Sequence, residues 1–189
     1  IQGHLDSALT EEGIAQAIAC GERLKGETID AFYCSDMGRA RHTARLIGAP
    51  LGLAADSNDS LRERAYGEGE GLTYAEIDAR FPEAFSRERA VDEHYAISGG
   101  ESKRVFHERI VAALTGLADR HAGQTVLVVT HGGVLGVVHR WIHGEPIASP
   151  HKIAIPNVAI NRIVREQDAW RITVWGDVAH LPVETFETI

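Results

Sequence analysis

The segment Thr130–Gly133 joins a histidine and two glycines to the end of the apolar, β-branched run Val126–Val129. Such a run predicts a strand buried on both faces, and open α/β sheets bind their ligands beyond the carboxyl ends of their strands. His131 would meet a ligand there, with the backbone amide of Gly132 close by. The alternative is that His131 caps the following helix and that the glycines only form the turn. These residues alone favour neither interpretation.

Arg39 follows a second predicted strand end and falls in the first turn of a predicted helix. A guanidinium beside the positive end of a helix is unfavourable unless an anion is bound there. Phosphate suits the place, because arginine can bind it bidentately. The competing interpretation is a surface arginine in an ion pair with Asp36, and without further context that interpretation is the better one.

Glu63 lies between Arg62 and Arg64, after a strand-like stretch at 53–61. A buried glutamate beside a phosphate pocket could protonate a leaving oxygen. A solvated cluster of charges is the commoner origin of such a run, so this segment also leaves two interpretations open.

His139 and His143 are four residues apart on a predicted helix, a spacing that can hold zinc. No glutamate follows the first histidine, as one would in a metalloprotease motif. We therefore expect both to be surface or packing histidines, and we expect no metal site.

Helical and strand-like segments alternate along the chain, and this order predicts an α/β sandwich with a mostly parallel sheet. Capping residues predict helices that begin at Thr10, Asp36, Thr73 and Ser102. Strands are predicted over 29–35, 53–61 and 126–130, and the segments 158–164 and 170–174 predict an antiparallel hairpin at the sheet edge. The charged, weakly periodic segment 83–100 is expected to be irregular.

The composition is that of one globular domain, residues 1–189, with 44% hydrophobic and 24% charged residues. The net charge of −8 argues against a broad nucleic-acid or anionic-membrane surface, and the apolar runs are too short to span a bilayer. Cys20 and Cys34 make no disulfide framework and are expected to be small core residues. A reducing cytoplasm fits this pattern best.

Taken together, these segments resemble the histidine phosphatase superfamily, in the branch that includes phosphoglycerate mutases and small phosphatases. The resemblance covers nearly the whole chain and keeps the order of the family's boxes. The matching residues are Gln2-Gly3 with Asp6, Leu9-Thr10, Gly13 and Gln16-Ala17; Ser35-Asp36, Arg39-Ala40 and Thr43-Ala44; Leu61-Arg62-Glu63, Gly67, Glu70-Gly71 and Thr73; Gly99-Gly100-Glu101-Ser102; and Thr130-His131-Gly132-Gly133.

The resemblance implies a three-layer α/β/α sandwich of phosphoglycerate mutase-like architecture and a metal-free, two-step phosphoryl transfer through a phosphohistidine, without a cofactor. Carried over by position, Glu63 matches the proton donor and His131 the histidine that hydrogen-bonds the transferring phosphoryl group. Arg39 matches an arginine of the phosphate clamp. Gln2 and Gly3 match positions that line the pocket, and the amide of Gly132 is expected to contribute.

One box of the family has no match within the 189 residues. It is the Arg-His-Gly box, which holds the nucleophilic histidine. The resemblance predicts this box upstream of Ile1, on a short N-terminal strand that the sequence given lacks. His4 is not assigned as the nucleophile, because it falls where the family has a residue at the edge of the pocket.

The leading hypothesis is a phosphomonoester hydrolase that acts on small phosphorylated metabolites. The alternatives are a cofactor-dependent phosphoglycerate mutase and, if the nucleophile is absent, a non-catalytic phospho-ligand-binding protein. Hydrolysis of α-ribazole phosphate uses the same boxes, and the sequence does not separate these substrates. The expected partner is a small phosphate ester, with no nucleic acid and no membrane, and a homodimer through the hairpin edge is a further expectation.

Overall fold

The computed structural model describes residues 1–82, 92–149 and 153–182, in which helices and strands alternate as predicted. The helices are α1 Glu11–Arg23, α2 Gly38–Gly48, α3 Tyr74–Arg80, α4 Lys103–Arg120 and α5 Gly132–His143. The strands are β1 Ala31–Ser35, β2 Asp56–Asn58, β3 Val126–Val129, β4 Ile160–Glu166 and β5 Ala169–Asp177.

The middle strand of the parallel sheet is β1, in the order β2–β1–β3. Cys34 pairs with Ser57 of β2 and with Val129 of β3. Because the three strands run in the same direction, their carboxyl ends lie at one edge of the sheet, where a site is expected. Strands β4 and β5 pair antiparallel as a two-stranded sheet. The predicted α/β fold, with a mostly parallel sheet and an antiparallel pair, is confirmed.

Two strands differ from their predictions. The prediction that β3 is buried on both faces is wrong, since its four residues are half-buried. Within the described residues β3 pairs only with β1, and an edge strand lacks a neighbour on one flank. Strand β2 is shorter than the predicted stretch 53–61, because the side chain of Asn58 accepts a hydrogen bond from Ser60 N at 2.9 Å and the chain turns into the 3-10 helix Asp59–Leu61.

Alternate residues of β1 face opposite sides of the sheet and so contact two groups of helices. Phe32 and Cys34 are buried in one cluster with α1 and α2, which also contains the free Cys20. Tyr33 lies on the other side, where its hydroxyl is 2.9 Å from Nε2 of His121 at the end of α4. A second cluster packs α4 against α5, and its buried residues are Phe106, Ile110, Val134, Val137 and Val138.

The predicted caps of α1, α3 and α4 are confirmed, because Thr10, Thr73 and Ser102 each accept a hydrogen bond from an amide in the first turn. The prediction that Asp36 caps α2 is wrong, since α2 has no side-chain cap. The carboxylate of Asp36 instead accepts two hydrogen bonds from Arg62, one of them from Nε at 2.7 Å. A bidentate arginine from the neighbouring strand end is a stronger partner than a helix amide.

Among the described helices, none is long and apolar enough to cross a membrane. The segment predicted to be irregular, 83–100, lies partly outside the described residues. Its described part, 92–100, holds a single β-bridge, from Gly100 to Tyr66, and no helix or strand.

Candidate active site

The carboxyl ends of β1 and β3 bring a serine and a histidine together. Ser35 is fully buried, and its Oγ lies 2.8 Å from Nε2 of His131, which is 8% exposed. His131 is the N-cap residue of α5, but its side chain makes no capping bond to that helix and is directed to Ser35 instead. The segment after β2 is held at the same edge, because Thr130 Oγ1 donates to the carbonyl of Leu61 at 2.9 Å.

Burial lowers the pKa of His131 from the usual 6.5 to about 4. The positive charge of Arg39 acts in the same direction, as do His4 and Arg109, whereas Asp6 opposes them. His131 is therefore neutral at pH 7, with one ring nitrogen that donates and one that accepts. Arg39 therefore places a positive charge near a buried, neutral histidine.

The carboxylate of Glu63 lies between two backbone amides. Its Oε2 accepts from Gly133 N at 2.9 Å, and its Oε1 accepts from Arg64 N at 2.8 Å. The first of these amides belongs to the first turn of α5, so the carboxylate lies at the positive end of that helix. Glu63 is thus built into the same sheet edge as His131, and the interpretation of its segment as a solvated charge cluster is wrong.

The contact with Glu63 requires a glycine at position 133. A Cβ on Gly133 would lie 2.1 Å from Oε1 of Glu63, far inside van der Waals contact. A Cβ on Gly132 would meet nothing within 4 Å. Packing therefore requires a glycine at 133, where the carboxylate approaches, but not at 132.

The guanidinium of Arg39 binds the N-terminal segment, so the interpretation of a pair with Asp36 is wrong. It donates to the carbonyls of Leu5 at 2.7 Å and of Gly3 at 2.9 Å, and it lies 3.6 Å from Oδ1 of Asp6. The backbone amide of Arg39 also donates to this oxygen, at 3.0 Å. Burial raises the pKa of Asp6, but these hydrogen bonds and the Arg39 charge outweigh burial and lower it overall.

Gln2 and Gly3 lie in this N-terminal segment. Gly3 is buried with a φ of +54°, and a Cβ there would lie 2.4 Å from Oε1 of Glu70. The same oxygen accepts from His4 N at 2.8 Å. Gln2 is exposed, and its side-chain amide donates to Ser7 Oγ at 2.7 Å.

The structure brings together most of the residues that the sequence singles out. Glu63 and His131 meet at the start of α5 beside Gly132, and Arg39 holds Gly3 close to them. The side chain of Gln2 points along its own segment to Ser7.

Ser35 and Gly133 are site residues to which the sequence analysis assigned no role, although both belong to the matching boxes. The signal for Ser35 was its place at the end of a strand parallel to β3. The signal for Gly133 was a second glycine where a turn needs one.

Within residues 1–82, 92–149 and 153–182, one group outside this site offers metal-binding atoms. His139, His143 and Glu145 each present one such atom within 4.8 Å of the others. The imidazoles of His139 and His143 stack with their centroids 4.2 Å apart. His139 Nδ1 is 3.7 Å from Oε1 of Glu145. These are the contacts of side chains packed on the surface of α5.

Comparison with known proteins places these residues in a family. A family model described as the histidine phosphatase superfamily (branch 1) matches residues 1–178. Phosphoglycerate mutase-like protein 4 of Arabidopsis thaliana is 39% identical over 189 residues, covering 96% of this chain and 79% of that protein. A metal-independent phosphoserine phosphatase of the same plant is 36% identical over 184 residues, covering 96% and 76%. The solved structure of an alpha-ribazole phosphatase from Shigella flexneri superposes with a TM-score of 0.85 at 25% identity, covering 94% of this chain and 88% of that one.

Replacement of Gly133 by alanine tests the packing around Glu63. Because the new methyl group would displace the carboxylate, we expect Gly133→Ala to lower the free energy of unfolding by about 1–3 kcal/mol. The control is Gly116→Ala on α4, where a Cβ meets nothing within 4 Å. An alanine at 133 that left both the unfolding free energy and the crystallographic position of Glu63 unchanged would contradict this packing.

The burial of His131 predicts a dependence of stability on pH. The folded-state pKa of about 4 lies below the usual 6.5, so protonation favours the unfolded chain. The stabilisation, about 3 kcal/mol from this shift, is fully present above pH 6.5 and is lost as the pH falls towards 4. We expect the free energy of unfolding, measured by urea titration, to fall less steeply between pH 6.5 and 4 in His131→Gln than in wild type. The control is His94→Gln, because His94 is exposed. Equal slopes of unfolding free energy against pH in all three proteins would be inconsistent with a buried, neutral His131.

Proposed function

We propose that this chain, which belongs to the histidine phosphatase superfamily, is a metal-independent phosphomonoester hydrolase that acts on small phosphorylated metabolites. The observation that carries the proposal is the grouping of neutral His131, the Arg39 cation and the Glu63 carboxyl at one sheet edge. Proteins catalyse phosphoryl transfer mainly by positioning the reacting groups and by stabilising their negative charge with cations. The names of two similar proteins, a phosphoserine phosphatase and an alpha-ribazole phosphatase, support hydrolysis of a phosphomonoester.

In this proposal Arg39, His131 and the amide of Gly132 bind the phosphoryl oxygens. Ser35 Oγ accepts from Met37 N at 3.4 Å, so its own proton is available to Nε2 of His131 at 2.8 Å. The imidazole then carries its proton on Nδ1 and can donate it to a phosphoryl oxygen. A fixed donor of this kind stabilises the charge that the transferring group carries.

Glu63 is proposed to move the protons of the reaction. When the bond from phosphorus to the leaving oxygen breaks, the Glu63 carboxyl gives that oxygen a proton. When water attacks the phosphoenzyme, the carboxylate takes a proton back and is restored. The amides of Gly133 and Arg64 hold both carboxyl oxygens in one place for the two steps.

The proposed attacking group is the histidine of the Arg-His-Gly box, which the family resemblance predicts upstream of Ile1. Its ring nitrogen forms a bond to phosphorus in line with the bond that breaks, and water then hydrolyses the phosphohistidine. His4 is not assigned this role, because the family resemblance places it at the edge of the pocket. Its Nε2 donates to the carbonyl oxygen of Glu63 at 2.8 Å.

A second candidate is a cofactor-dependent phosphoglycerate mutase, because one relative is named phosphoglycerate mutase-like. A mutase would use the same phosphoryl-transfer chemistry as the proposed hydrolase, but it would pass the phosphoryl group to a phosphoglycerate where the hydrolase passes it to water. The family resemblance associates the bisphosphoglycerate-dependent mutases with a longer insertion between the proton donor and the second histidine. The sequence from Glu63 to His131 holds no such insertion, and we therefore favour hydrolysis.

The test is an assay of the protein with its natural N-terminus against p-nitrophenyl phosphate, phosphoserine and phosphoglycerate. We expect release of phosphate that persists after chelation with EDTA, because the proposed steps use side chains alone. We expect His131→Gln to lower kcat/KM by about 10²-fold or more, the cost of removing one transition-state donor. His94→Gln, whose ring is 71% exposed, should leave kcat/KM unchanged.

Three other results would each replace the proposal. Binding of inorganic phosphate without hydrolysis of any ester would indicate a phospho-ligand-binding protein. Interconversion of phosphoglycerate isomers that depends on bisphosphoglycerate would indicate a mutase. Loss of phosphate release on chelation, with recovery on addition of a metal ion, would indicate metal-dependent hydrolysis.

A further inference from the structure

One arginine ties the loop that carries Glu63 to helix α4. Arg109 Nη1 donates to the carbonyls of Ser60 at 2.9 Å and Arg62 at 3.1 Å, and its Nη2 donates to the carbonyl of Glu63 at 3.3 Å. Three main-chain carbonyls between 60 and 63 therefore share one guanidinium. The side chain of Arg109 is 21% exposed, so little water competes for these bonds.

Glu101 fixes the orientation of this guanidinium. Its Oε1 accepts from Nε of Arg109 at 2.8 Å and its Oε2 accepts from Nη2 at 2.7 Å, which is a bidentate pair. Oε2 also accepts from Ala65 N at 3.0 Å. Burial raises the pKa of Glu101, but the hydrogen bonds from Arg109 and Ala65 outweigh burial and lower it overall. Glu101 is thus a carboxylate at neutral pH and holds both the arginine and the loop.

The start of α4 explains how these groups come together. Ser102 caps the helix by accepting from Val105 N at 3.1 Å, and Arg109 follows about two turns later on the same helix. Gly100 allows the loop to approach closely, since a Cβ there would lie 2.8 Å from the carbonyl oxygen of Ala65. Three consecutive residues before α4 therefore provide the close approach, the carboxylate and the helix cap: Gly100, Glu101 and Ser102.

We propose that Arg109 is a positioning residue for Glu63, which fixes the loop at 60–65 and thereby the place of the Glu63 carboxyl. The kinetic part of this inference rests on the proposed function, whereas its structural part does not. Lysine at 109 would keep the charge but not the planar fork that serves Glu101 and three carbonyls at once. Arg109→Lys is therefore the substitution that separates charge from geometry.

The kinetic experiment compares Arg109→Lys with Arg104→Lys in the full chain. Arg104 is a matched control, because it also lies on α4 and pairs with glutamates, Glu93 and Glu108. We expect Arg109→Lys to lower kcat for an alkyl phosphomonoester by about 10–100-fold, the cost of a misplacement of about 1 Å, with KM changed by less than about threefold. Arg104→Lys should leave both constants unchanged.

A double-mutant cycle with Glu63→Gln shows whether Arg109 acts through Glu63. In that background Arg109→Lys should lower kcat by less than about threefold, because the group that it positions is already disabled. A general loss of structure would lower kcat equally in both backgrounds. A further loss of about 10–100-fold in the Glu63→Gln background would therefore overturn the proposal.

The amide resonance of Gly133 distinguishes failure of this inference from failure of the proposed function. The amide proton of Gly133 is hydrogen-bonded to Glu63, and a weaker hydrogen bond moves such a resonance upfield. We therefore expect Arg109→Lys to shift the Gly133 resonance upfield and Arg104→Lys to leave it unchanged, even if no ester is hydrolysed. An unshifted Gly133 resonance in folded Arg109→Lys protein would overturn the proposal. If that variant does not fold, Glu101→Gln is the second variant, with the same expected and contradicting shifts.

Discussion

The carboxylate of Glu63 accepts one hydrogen bond from its neighbour Arg64 and another from Gly133, 70 residues further along the chain. Two amides that belong to different segments leave the carboxyl a single position. For both bonds to form, the segment after β2 must lie against the start of α5, and position 133 must lack a side chain. The parallel order β2–β1–β3 meets the first condition, because it ends the strands at one edge. The strand order of the sheet is therefore required for the position of the Glu63 carboxyl, on which the proposed proton transfer depends.

The arginines near this edge are held by main-chain carbonyls and by carboxylates, Asp6 beside Arg39 and Glu101 beside Arg109. Arg39 binds the carbonyls of Gly3 and Leu5, and Arg109 binds those of the loop at 60–63. Each cation is thus oriented before any ligand arrives, which reduces the reorganisation that binding requires. The chain as a whole carries a net charge of −8, so the proposed attraction of a phosphate ester depends on the positive charge of Arg39.

Local patterns in the sequence were sufficient to predict much of this arrangement. A cap such as Thr10 depends on residues within one turn, and the apolar run before Thr130 identified the strand end that carries His131. The family resemblance added the roles that we propose for His131, Glu63 and Arg39.

Features that depend on distant partners escaped prediction. Asp36 was expected to cap α2, but its partner Arg62 lies 26 residues away. The tasks of Gly133 and Arg109 depend on contacts with Glu63 that span 70 and 46 residues. No local pattern contains such a contact, and the half-burial of β3 likewise depends on which strands lie beside it.

The most direct test of Glu63 as the proton donor is the dependence of kcat/KM on the leaving group. Wild type and Glu63→Gln would be compared on phosphomonoesters that release oxygens ranging from nitrophenolate to alkoxide, with the exposed Glu68→Gln as control. Only a poor leaving group needs a proton, so the loss in Glu63→Gln should be small for nitrophenyl phosphate and reach about 10²–10⁴-fold for alkyl esters. An equal loss along the whole series would contradict the assignment and would leave Glu63 a purely structural role.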